Sequence, residues 1–87
     1  MTAEPLLTFP CVFPLKVMGR REDGFAQVVS EIVQRHAPDF SPRTLEMRTS
    51  KNGRYLSLTV TINAESREQL DALFTELSKH PSVMMVL

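Results

Sequence analysis

Two histidines, one cysteine and a charged run bounded by glycines are the residues of this chain whose types invite a chemical reading. His36 and His80 each close a stretch of periodic apolar residues and are followed at once or nearly so by a proline, Pro38 and Pro81. That placement predicts helix C-termini, where an imidazole meets free carbonyls and the negative end of the helix dipole. A metal site would need further ligands at short spacing, and Cys11 lies far from both histidines in sequence. A Cys–His catalytic pair needs its two side chains adjacent in space, and no spacing here indicates that. The run Gly19 to Gly24, GRREDG, lacks the GxGxxG spacing of a dinucleotide cradle. With no nucleophile–base pair, carboxylate pair or metal cluster above background, a non-enzymatic chain without metal or cofactor is expected.

Composition narrows the classes further. Eighty-seven residues make one domain, long enough to bury a core without a metal or disulfide. Ten basic and ten acidic residues balance, so no broad positive field draws nucleic acid or a membrane surface. The single Cys11 excludes an internal disulfide. The start, MTAEPLLTF, has an early acid and a proline where a signal peptide needs a basic segment and then an apolar run. No apolar run approaches about 18 residues, so no membrane-spanning helix is expected and the cytoplasm is the expected compartment.

The elements that must carry these residues are organised around Arg54 to Ala64, RYLSLTVTINA. Its strict alternation puts Leu56, Leu58, Val60 and Ile62 on one face of a strand and Tyr55, Ser57, Thr59 and Thr61 on the other. Lys51-Asn52-Gly53 before it supplies an Asn-Gly pair, which suits a tight hairpin with positive φ at both residues. The partner strand is then Arg43 to Ser50, with Leu45 and Met47 on its apolar face. Upstream, Cys11 to Gly19 is rich in β-formers, and Pro14 restricts the regular strand to Phe13–Met18. Asp23 is placed to cap a first helix whose stripe is Phe25, Val28, Val29, Ile32 and Val33, ending near Ala37 before Pro38. Ser66 and Gln69 match a capping box ahead of a second helix, with Leu70, Leu73, Phe74 and Leu77 as its stripe and Lys79 near its end. Ser82 to Leu87 is a last strand.

The order strand, helix, strand, strand, helix, strand is the ferredoxin-like βαββαβ arrangement, an α+β fold with antiparallel strand order 4-1-3-2 and both helices on one face. The four inward residues of the long strand and the nine of the two helix stripes make the predicted core. Residues 1–10 read as a lead-in and 11–87 as the single domain. Leu6, Leu7 and Phe9 of the lead-in are apolar enough to lie against it.

The opposite sheet face is left open. Stacking of RNA bases there would need aromatics on both central strands with a basic surround. Tyr55 is the sole aromatic on that face, with Lys16 and Arg48 as basic companions beside Glu46, so nucleic-acid binding is not the expected use. The last strand is more informative. Val83 to Leu87 is apolar on both faces, with no charge to discourage pairing with another strand. Either the Leu6 to Phe9 lead-in or a second copy of the chain covers it. Lys16, Tyr55, Thr59, Met84 and Val86 are therefore the candidate interaction surface of an adaptor that recruits itself or another protein by strand addition.

The segments around Phe9 to Gly19 (with its terminal KVMG), Val28 to Pro38 (ending RHAP), Ser50 to Ala64 (with LTVTINA) and Met85 to Leu87 (MVL) resemble the YbeD-like family of small bacterial cytoplasmic proteins. The resemblance runs from about Leu6 to Leu87. It implies a ferredoxin-like fold similar to ACT domains, the modules that sense amino acids in biosynthetic enzymes, and a genomic setting often near lipoate-attachment genes. It transfers no catalytic residue. An ACT-type ligand site lies between the first strand and the first helix, which here brings Met18, Gly19, Arg20, Arg21, Asp23 and Gly24 into view. A small metabolite held by Gly19, Arg20, Arg21 and Gly24 is the alternative to the adaptor reading.

Overall fold

The computed structural model describes residues 8–87 of the chain, so Leu6 and Leu7 of the expected lead-in lie outside it. The elements are β1 (Cys11–Arg20), α1 (Phe25–His36), β2 (Glu46–Thr49), β3 (Tyr55–Ala64), α2 (Arg67–Lys79) and β4 (Val83–Val86), with a 3₁₀ turn at Pro42–Thr44. The four strands form one antiparallel sheet in the order β2-β3-β1-β4, the predicted ferredoxin-like topology.

β3 and β1 pair over their whole length, from Cys11 opposite Ala64 to Arg20 opposite Tyr55. β1 is thus longer than the predicted Phe13–Met18, and Pro14 sits inside it. The hydrogen-bond phase explains why a proline is tolerated there. Leu87 and Lys16 exchange both backbone bonds, N–H to carbonyl, at 2.8 and 3.1 Å. Even-numbered residues of β1 therefore turn their backbone groups toward β4 and odd-numbered ones toward β3. Pro14 is even-numbered and lies beyond the last described pair with β4, so its missing N–H breaks no ladder bond.

The core is where the alternation of β3 and the two helix stripes predict. Leu56, Leu58, Val60 and Ile62 are buried with Phe25, Val29, Ile32 and Val33 of α1 and Leu70, Leu73 and Leu77 of α2. Val28 and Phe74, expected inside, are half-buried at the margin, where the Phe74 ring meets Phe13 edge-on at a centroid distance of 6.4 Å. β1 contributes Leu15 and Val17, and Phe40 folds in from the loop after α1. Phe9 packs against the same cluster.

Four local expectations change. β2 is shorter than Arg43–Ser50, because Pro42 starts a 3₁₀ turn in which Thr44 N–H donates to Ser41 O (3.0 Å) and Leu45 N–H to Pro42 O (3.2 Å). Met47 does face the helix side but stays exposed, since it opens onto a recess. The hairpin is a four-residue loop closed by Ser50 N–H to Tyr55 O at 2.9 Å, and positive φ falls on Gly53 alone (73°). Asn52 acts through its side-chain oxygen, which accepts from Arg54 N–H at 3.0 Å. Asp23 does not cap α1: Gly24 occupies the cap position at φ 82°, ψ −1°, with no side-chain cap bond. The capping box of α2 does form, with Gln69 N–H donating to Ser66 Oγ at 3.1 Å. Its return contact goes one residue further back, from Glu65 N–H to Gln69 Oε1 at 2.6 Å.

Candidate functional site

The turn from β1 into α1 is built on close contact. Gly19 is the last inward position of β1, and a Cβ placed on it would lie 2.3 Å from Ser82 O and 2.6 Å from the Phe25 ring. This glycine admits the first residue of α1 and the turn before β4 to the sheet; it is a packing position and lines none of the described recesses. Arg20 and Arg21, adjacent in sequence, differ in setting, because β1 ends at Arg20 and Arg21 stands at the turn that follows. Arg20 stands across from Tyr55 on the open face. Arg21 is one step past the strand, with its N–H on Arg54 O at 2.8 Å and its guanidinium on Gly53 O at 3.4 Å.

Two recesses share this turn. On the helix side, a recess of about 720 Å³ lies between the start of α1 and the β2–β3 hairpin, lined by Arg21, Gly24, Phe25, Gln27, Met47 and Leu56 among others. Phe25 N–H donates to Glu22 O at 3.2 Å. The next two helix N–H groups, of Ala26 and Gln27, have no intrahelical acceptor and no capping side chain. On the other side of the turn a recess of about 480 Å³ is lined by Arg20, Arg21, Glu22, Arg54 and Tyr55. Of the residues expected at a ligand loop, Arg21 and Gly24 meet in the first recess, and Arg20 and Arg21 meet in the second. Arg54 was not expected in either; only the register that places it beside Arg21 reveals it.

The candidate interaction residues fall in two places. Lys16, Thr59 and Glu46 form one cross-strand row on the open face, with Ser57 and Arg48 in the next row, around a polar dip of about 200 Å³. Met84 and Val86 lie on β4, one of the two edge strands among the described residues, and Met84, Met85 and the following Leu87 are all exposed.

His36 is the last residue of α1 and His80 the C-cap of α2, as the prolines implied. Their partners were not legible in sequence. His36 Nε2 lies 2.7 Å from Glu76 Oε1, Arg35 pairs with the other oxygen of the same carboxylate, and Gln69 Nε2 donates to His36 O at 2.7 Å. His80 Nδ1 accepts from Ser82 N–H at 3.1 Å. The His36 hydrogen bond, with Arg35 beside it, holds the Glu76 carboxyl below its usual range. A depressed carboxylate pKa adds stability that is complete above the unfolded-chain value and is lost as pH falls through the folded value. Glu76→Gln is therefore expected to lower the melting temperature slightly at neutral pH and to match the parent in acid, a difference read from melting curves across pH. Cys11 is half-buried at the start of β1. No helix of the described residues is long and apolar enough to cross a membrane.

Comparison with known proteins gives a family model, described as "Protein of unknown function (DUF493)", that matches residues 4–87. A UPF0250 protein of Nitrosomonas europaea is 55% identical over 87 residues, covering 100% of both chains. A UPF0250 protein of Bordetella pertussis is 50% identical over 84 residues, covering 97% of this chain and 92% of its own. Among solved structures, protein HP0495 from Helicobacter pylori superposes with a TM-score of 0.78 at 22% identity, covering 97% of this chain and 88% of that one. The ACT domain from the GTP pyrophosphokinase of Chlorobium tepidum superposes with a TM-score of 0.67 at 18% identity over 88% of this chain and 83% of that one. At these identities the two structures speak for the fold, which is ACT-like.

Proposed function

This chain belongs to the DUF493 family, the YbeD-like UPF0250 proteins, and from that premise we propose that it is a non-enzymatic cytoplasmic adaptor or regulatory module that works by adding a partner strand at the β4 edge. The observation that carries the reading is the character of that edge. β2, the opposite edge, carries Glu46 and Arg48, whereas Val83 to Leu87 has no charged side chain. Charged side chains are a common protection against edge-to-edge pairing, and β4 lacks them. Leu87 is bonded to Lys16 through both backbone groups, so the alternate residue Val86 turns its N–H and carbonyl outward.

An antiparallel edge is its own complement across a two-fold axis, so the first partner is a second copy of the chain. Setting Val86 opposite the Met84 of the other copy brings Met85 opposite its counterpart and covers the apolar side chains that β4 now exposes, Met84 (58%) and Met85 (49%) among them. Directly opposed residues of an antiparallel pair have Cβ atoms about 4.5–5.5 Å apart, close enough for small adjustment to a disulfide. Met85→Cys should therefore give a disulfide-linked dimer on mild oxidation in a Cys11→Ser background, and Met84→Lys should shift the protein to monomer in light scattering without unfolding it. A wild-type chain that is monomeric at every concentration, with no Met85→Cys cross-link and no protein retained from lysate, would overturn the reading.

A second reading, a metabolite sensor at the helix-side recess, is favoured by the side-chain-free cap of α1 beside Arg21. It requires that Arg20→Ala with Arg21→Ala abolish any thermal shift produced by carboxylate metabolites.

A further inference from the structure

We propose that the corner between the end of β1 and the start of β3 is a binding site for a mononucleotide, with its phosphates on Arg20, Arg21 and Arg54 and its base on the ring of Tyr55. The site lies on the other side of the turn from the helix-side recess, with which it shares Arg21, and it does not depend on the β4 contact.

The chain as a whole is neutral, yet three arginines converge on this corner. The sheet holds them there. Arg20 is the direct cross-strand partner of Tyr55, which puts their Cβ atoms about 5 Å apart on the open face. The ladder continues one step further, where Arg21 N–H donates to Arg54 O. Among the described residues none of these three guanidinium groups forms an ion pair. The acid that lines the same recess, Glu22, is engaged elsewhere: its Oε1 accepts from Ser82 Oγ at 3.2 Å, toward the start of β4.

Guanidinium forks match the oxygens of a phosphate in geometry and keep their charge at any physiological pH. Tyr55 is 39% exposed and presents a ring beside them, a surface on which a base stacks. The recess of about 480 Å³ is of the size that small-molecule sites occupy. The rest of the open face argues for one base and against a strand of RNA. The even-numbered β1 positions there are Val12, Pro14, Lys16 and Met18, so no second aromatic continues the stack, and Glu46 repels a following phosphate.

ADP at low ionic strength is the probe. Tyr55 is the single tyrosine of a chain without tryptophan, so its fluorescence, corrected for nucleotide absorbance, reports the site directly. Saturable quenching is expected, with amide NMR shifts confined to Arg20, Arg21, Arg54 and Tyr55. Arg20→Ala with Arg54→Ala should weaken binding about tenfold or more, both side chains being exposed and outside the core. Tyr55→Phe should keep the affinity and Tyr55→Leu, followed by NMR, should lower it. Absence of saturation at millimolar ADP overturns the proposal. So does pyrophosphate binding as tightly as ADP to both wild type and Tyr55→Leu, which would leave the ring no part, or a uridine oligomer binding far more tightly than ADP, which would make the corner one end of a nucleic-acid surface.

Discussion

Leu58→Ala is expected to cost about 2–5 kcal/mol of unfolding free energy, the range for truncating a fully buried leucine, and to be the most damaging single truncation on β3. Leu58 has no solvent exposure and sits between Leu56 and Val60 at the centre of the strand that everything else packs on. Its neighbours come from four directions in the fold: Val17 is its direct partner on β1, Met47 its partner on β2, and the stripes of both helices close over the same face. A cavity opened there cannot collapse, because a strand paired on both sides is held by its ladder and cannot move inward as a loop would. For a domain of this size each kcal/mol lowers the melting temperature by about 4–8 °C, so the loss is large enough to read in a simple thermal melt. Thr61→Ala on the open face of the same strand is the control. Thr61 is exposed, and a surface substitution of this kind normally changes stability by less than about 0.5 kcal/mol. Equal losses for the two variants would mean that the assignment of faces is wrong.

That face assignment was legible in the sequence because a period of two over ten residues has one interpretation. The helix stripes were legible for the same reason, and with the Ser66–Gln69 cap they sufficed for the topology. What the sequence did not disclose are contacts set by register. Arg20 and Arg21 read as one basic pair, but Arg20 borders only the recess beside Tyr55, whereas Arg21, one step past the strand, borders that recess and the helix-side one as well. Arg54 reads as the residue after a turn until the ladder places its carbonyl on Arg21 N–H. Glu76 reads as one more solvent-facing helix residue until the packing of α2 beside the end of α1 brings it to His36 and Arg35. Asp23 looked like a cap because its residue type is right. The chain instead passes through Gly24 in the left-handed region, and a side-chain cap requires an extended backbone at that position.

Gly19 illustrates the same point at the position where one added carbon should matter most. Its φ is not positive, so any residue could adopt its backbone conformation, and the demand for glycine is purely one of space. Gly19→Ala would put a methyl carbon 2.3 Å from the carbonyl oxygen of Ser82 and 2.6 Å from the Phe25 ring. The ring can turn only a little, since Phe25 is itself buried in the core, and the carbonyl belongs to the backbone that leads into β4. Overpacking of this kind costs about 1–3 kcal/mol, and here the strain has two outlets. Either Phe25 withdraws and takes the start of α1 with it, or Val83 loses its pairing with Gly19 and the β4 edge shifts. The expected result is a lowered melting temperature with amide shifts in Glu22 to Phe25 and Ser82 to Met84. Gly24→Ala offers the contrast, because at φ 82° it is strained by its backbone but has nothing within 4 Å to collide with. Its cost should be near 1 kcal/mol and its shifts confined to the turn. If Gly19→Ala melts with the wild type, the close approach of β1, α1 and β4 at this corner is not real, and with it falls the physical link between the loop that carries the arginines and the edge that carries the methionines.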